Sequence, residues 1–95
     1  MDLHDLRQEI DKIDDQLVSL FVQRMQVAAA IGTYKKERGL PVLVPGREAE
    51  KLADVAQKAG PGMEQYTRKL YEKLFELSRG YQEALSREAE GQEKI

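Results

Sequence analysis

Apolar residues in the first third of the chain fall at Leu3, Leu6, Ile10, Ile13, Leu17, Leu20, Val27, Ile31 and Tyr34. The steps alternate between three and four, which lines these side chains along one stripe of a helix. The stripe breaks at Arg24, where the next apolar residue is due. Lys35 follows about three turns later, on nearly the same face. The pattern predicts a first helix from about Asp2 to Glu37, with Asp2 or Asp5 as its cap and Gly39 as its stop. Residues 39–46 form a loop, punctuated by Pro41 and Pro45. A second helix starts near Pro45, carries Ala49, Leu52, Ala53 and Ala56 on one side, and ends at Gly60-Pro61-Gly62. A third runs from about Met63 to Arg87, with Tyr66, Leu70, Leu74, Leu77, Tyr81 and Leu85 as its apolar stripe. Tyr71, Phe75, Ser78 and Gln82 form a second stripe on the same helix. The expected organisation is one all-α domain over residues 1–87, followed by a charged, disordered tail or linker over 88–95.

Length turns this pattern into a statement about assembly. A helix of some 35 residues is about 50 Å long at 1.5 Å per residue. A compact chain of 95 residues has a radius of gyration of only about 12 Å. Helix one therefore projects past its own domain while its apolar stripe persists, and a second copy around a two-fold axis is the expected cover.

Composition narrows the chemistry. Fifteen basic residues against 17 acidic ones argue against a general nucleic-acid or membrane surface, so any cationic site is local. With no Cys and a single His, His4, near the terminus, thiol chemistry, His-based triads and ordinary zinc sites have no residues to work with. No apolar run is long enough to span a bilayer. The acidic start, Met1 to Asp5, lacks a signal-peptide pattern, so the expected location is the cytoplasm.

The residues that need explanation are cations and two neutral polar groups. A charge on a buried seam is costly unless something pairs with it. Arg24 is either a long side chain reaching from the interface edge to a Glu, or a ligand-carboxylate site. Lys35 alone reads as solvated beside Lys36, and Arg7 as an i,i+4 partner of Asp11. Arg47 opens the second helix, where its charge opposes the helix dipole; it is either an ordinary exposed Arg or a cation suited to a nearby anion. Ser78 and Gln82 face the same way one turn apart. They are either a helix face emerging into solvent or hydrogen-bonding groups beside an apolar wall.

Leu6-Arg7, Ile10-Asp11, Ile13-Asp14 and Leu17 resemble the opening of the first helix in the all-helical class of chorismate mutases. The seam Arg24, the Gly32-to-Lys35 segment, Arg47-Glu48, and the Ser78 and Gln82 pair resemble that family's later motifs, in order, over roughly Leu6 to Gln82. The resemblance implies an intertwined helical homodimer that rearranges chorismate to prephenate on the route to phenylalanine and tyrosine, with no metal or cofactor. It implies that Arg24, and Arg7 donated by the partner chain, each bind a substrate carboxylate. Lys35 and Gln82 would hydrogen-bond the ether oxygen, and Glu48 the ring hydroxyl. Arg47 and Ser78 would complete the contacts. Val44 stands where relatives often carry an Asp, so any contact or cap from that side chain is lost. The alternatives are an isochorismate lyase of the same fold and a non-catalytic dimerisation or regulatory module. The last would need internal carboxylates to pair its buried cations.

Overall fold

The computed structural model describes residues 2–93, with side chains through Glu90. Three helices account for the fold: α1 (Leu3–Glu37), α2 (Pro45–Ala59) and α3 (Glu64–Glu93). Their ends follow from local chemistry. Asp2 caps α1, its Oδ1 accepting from the Asp5 amide at 2.9 Å. At the other end Gly39 takes a φ of 66°. The Leu40 amide then reaches back to the Lys35 carbonyl at 2.8 Å, and the Gly39 amide to that of Lys36 at 3.3 Å. This pair of bonds is a Schellman closure, which only a residue at ease with positive φ permits. Pro45 opens α2 at the position where its missing amide costs nothing. No capping side chain is present at Val44, but its carbonyl accepts from the Arg47 and Glu48 amides at 3.0 and 3.2 Å. The helix therefore starts in place without the Asp.

One sequence expectation needs correction. Helix α3 does not stop at Arg87 but continues to Glu93. Glu88, Ala89 and Glu90 are good helix formers with no breaker among them. Lys36 also meets the extension, pairing with Glu90 at 3.7 Å. The tail expected to be disordered from residue 88 is thus helical as far as it is described, and 94–95 lie outside the described residues. The structure also decides which of the two α3 stripes reaches α1. Helix α3 lies against both α1 and α2, and the side chains it brings to α1 include Phe75, Ser78 and Gln82. Phe75 and Ser78 are buried, while Tyr66, Leu70, Leu77 and Tyr81 stay exposed. On α1 the matching face is Met25, Ala28 and Gly32. Small residues there let the two backbones approach closely, which the larger side chains of the main stripe would prevent.

The chain has little core of its own. Its buried apolar residues are Ala28, Val55, Ala56 and Phe75, and the α1 stripe from Leu3 to Leu20 is exposed throughout. The molecule measures 58 × 30 × 15 Å with a radius of gyration of 17.2 Å. Its accessible surface is 7665 Å², about 2,100 Å² more than expected for a compact monomer of this mass.

Candidate active site

The α1–α3 contact, the 39–44 loop and the start of α2 enclose a cleft of about 320 Å³. Six of the seven residues singled out in the sequence line it: Arg24, Lys35, Arg47, Glu48, Ser78 and Gln82. The seventh, Arg7, does not. It stands on the free, exposed half of α1, about 25 Å along the helix axis from Arg24.

Arg24, Lys35 and Gln82 are each held by the fold. Arg24 donates from Nη1 to the Ser78 hydroxyl at 3.0 Å. Its guanidinium carbon lies 5.6 Å from the Tyr71 ring centroid and 5.7 Å from that of Phe75. Two aromatic faces thereby fix a long cationic side chain that would otherwise sample many rotamers. Lys35 donates to the Val42 carbonyl at 3.2 Å, which ties the end of α1 to the loop. Gln82 donates from Nε2 to the Ala28 carbonyl at 2.6 Å. It reaches that carbonyl because Gly32 has no side chain: a Cβ there would stand 2.8 Å from the Gln82 Cγ. Each donor keeps hydrogens to spare. The ammonium retains two N–H groups, the amide one and the guanidinium several.

Two cations that line the cleft escape the sequence reading, Lys51 and Arg79. Both sit in plain positions, Lys51 one turn after Arg47 and Arg79 between Ser78 and Gln82. Arg79 forms an ion pair with Glu48 across the α2–α3 contact. Lys51 lies 3.8 Å from Asp54, whose carboxyl is held below its ordinary value chiefly by the hydrogen bond from Lys58 at 2.9 Å. Arg47 approaches Glu50 at 4.0 Å, with both side chains largely in solvent.

Arg24 and Lys35 differ from these three. Among the described residues, neither has a carboxylate within 4 Å. Five cations and one carboxylate line the cleft, in a chain whose formal net charge is −2. Arg47, Lys51 and Arg79 are offset by Glu50, Asp54 and Glu48, so the positive field of the recess comes chiefly from Arg24 and Lys35 and favours an anion. Its apolar wall comes from Val27, Ile31, Val42 and Val44. Among the described residues no group of three or more His, Asp and Glu side chains is placed to hold a metal ion, and no helix is long and apolar enough to cross a membrane.

Several known proteins share this pattern. Residues 6–83 match the family described as chorismate mutase type II. The T-protein of Haemophilus influenzae is 41% identical over 61 residues, which is 61% of this chain and 16% of that protein. The bifunctional chorismate mutase/prephenate dehydratase of Aquifex aeolicus is 43% identical over 49 residues, 52% of this chain and 14% of that protein. The chain thus spans about a sixth of the length of the curated relatives it matches. Among solved structures, the chorismate mutase (form II) of Thermus thermophilus superposes with a TM-score of 0.80 at 32% identity, covering 85% of this chain and 93% of that one. Three helices of these lengths, a cationic cleft at their junction and a match over residues 6–83 agree: the chain belongs to the chorismate mutase type II family.

Proposed function

We propose that this chain is a chorismate mutase domain acting as a homodimer. It would convert chorismate to prephenate for phenylalanine and tyrosine biosynthesis in the cytoplasm. The observation that carries this reading is that Arg24 and Lys35 line one cleft with no carboxylate partner among the described residues. Both are half-buried, so neither is forced to pair within the chain, and a dianionic ligand would supply the missing counter-charge.

The reaction is a concerted rearrangement. The ether carbon–oxygen bond breaks as a carbon–carbon bond forms between the side chain and the ring, and no proton leaves or enters. The protein has two tasks. It holds the flexible substrate in its compact reactive conformer, and it supplies fixed donors where negative charge builds on the ether oxygen. Arg24, braced by Tyr71, Phe75 and Ser78, takes one substrate carboxylate. The spare N–H groups of Lys35 and Gln82 would donate to the ether oxygen. Glu48 accepts from the ring hydroxyl, while Arg47 stands at the rim as a further carboxylate contact.

The second carboxylate falls to Arg7 of another copy. Arg7 is too far along α1 to reach its own cleft, and the α1 stripe around it is exposed from end to end. Two α1 helices running antiparallel about a two-fold axis would cover both stripes and bring each Arg7 toward the opposite Arg24. Summed over two chains, the excess exposed surface is about 4,200 Å², within the roughly 2,000–5,000 Å² that obligate dimers bury in total. Loss of chorismate absorbance, with prephenate identified as the product, tests the activity; an unchanged chorismate signal with folded protein refutes it.

A further inference from the structure

Glu48 is the one carboxylate that lines a cleft with five cations, and it does not pair with the nearest of them in sequence. Lys51, one turn further along α2, is within reach of a residue at position 48, yet it turns to Asp54. Arg47 turns to Glu50. The Glu48 carboxylate instead crosses to α3 and meets Arg79. This ion pair links α2 to α3, and its side chains are only 33% and 28% exposed; among the described residues the other pairs of α2 and α3 are local i,i+3 or i,i+4 contacts, or reach α1. Only Oε2 accepts from the guanidinium. Among the described residues Oε1 has no hydrogen-bond partner.

We propose that Arg79 is a positioning residue that clamps one oxygen of Glu48 and so presents the other to the ring hydroxyl of the substrate. This rests on the mutase reading above. A carboxylate surrounded by Arg24, Lys35, Arg47 and Lys51 is drawn toward whichever cation is free, and the free ones are those the substrate needs. Arg79 removes that competition. It anchors Glu48 from the helix that also carries Ser78 and Gln82, so three hydrogen-bonding groups of the site share one rigid element. It does so without the Asp that relatives often carry at position 44, where this chain has the apolar Val44. A hydroxyl donating to a pre-aimed carboxylate oxygen forms a charge-assisted bond, worth more than a neutral one.

The test compares chorismate with its analogue in which the ring hydroxyl is replaced by hydrogen. Wild type, Arg79→Ala, Arg79→Lys and Glu48→Gln are assayed on both, with helicity measured by circular dichroism. With chorismate, Arg79→Ala should lose about tenfold in kcat/KM, the scale of one hydrogen bond to a charged group. Arg79→Lys should recover much of that loss. With the deoxy analogue, wild type and Arg79→Ala should agree within about twofold, because the group that Glu48 serves is gone. A purely structural role would lower both substrates alike, and equal losses on the two overturn the proposal. So does an Arg79→Ala enzyme as active as wild type on chorismate. If wild type itself leaves chorismate intact, the mutase reading fails and this proposal falls with it. An active wild type with equal losses removes only the role of Arg79.

Discussion

Replacing Gly32 with Ala sets a local gain against a loss in the cleft. Gly32 lies inside α1 with ordinary helical backbone, since the positive-φ glycines are Gly39, Gly60 and Gly62. By propensity alone the substitution should stabilise the helix by about 1 kcal/mol. The space says otherwise. The new Cβ would stand 2.8 Å from Gln82 Cγ, 3.2 Å from its Cβ and 3.3 Å from its Cδ. A normal carbon–carbon contact begins near ~3.5 Å, so the Gln82 stem must move by about 0.7 Å. The close atoms include the base of the side chain, so a rotation of the tip does not relieve them. Carried by the same displacement, the 2.6 Å bond from Gln82 to the Ala28 carbonyl opens to about 3.3 Å, beyond the usual range. The donor for the ether oxygen shifts with it, and a misplacement of this size costs about 10²-fold in rate. Initial rates of chorismate loss should therefore fall by about 10²-fold in kcat, while helicity stays the same or rises. On a Gln82→Ala background the same substitution should cost little more, because the group it displaces is absent. Wild-type rates in Gly32→Ala would refute the reasoning, as would equal further losses in the two backgrounds.

Two other substitution and assembly tests follow from the same geometry. Lys35→Ala should lower kcat by at least about 10²-fold, the usual scale for removing one donor to a developing oxyanion, with little change in helicity because Ala is a good helix former; near-normal turnover would take Lys35 out of the site. Sedimentation of the wild type at micromolar concentration should show a dimer and no well-folded monomer, since the protomer leaves Leu6, Ile10, Ile13 and Leu17 exposed; a stable folded monomer would remove the shared-site account.

Much of this is legible in the sequence for identifiable reasons. The alternation of threes and fours marks α1, and its single interruption makes Arg24 conspicuous. Pro45 and Gly39 fix the loop between α1 and α2 by backbone chemistry alone, and the structure places both boundaries there. The face of α3 that packs is harder to read. That helix carries two stripes, and the choice between them is made by Ala28 and Gly32 on another helix, a fact of pairing that no single-helix periodicity contains. The end of α3 is misread because a charged composition argues for disorder, whereas Glu88, Ala89 and Glu90 individually favour helix. Arg79 escapes notice for a related reason. Its meaning lies in Glu48, 31 residues away, and only the α2–α3 packing brings them together.

The most direct test of a dimeric mutase with shared sites mixes two defective chains. Arg7→Ala and Arg24→Ala are each expected to be inactive, because either change removes a carboxylate contact from every site of its own dimer. Unfolded together and refolded, they form mixed dimers in which one site inherits both defects and the other inherits neither. Random association makes about half of the dimers mixed, so about a quarter of wild-type activity should return under closed two-fold symmetry. Two inactive parents whose mixture stays inactive, with heterodimers confirmed to be present, would contradict the account.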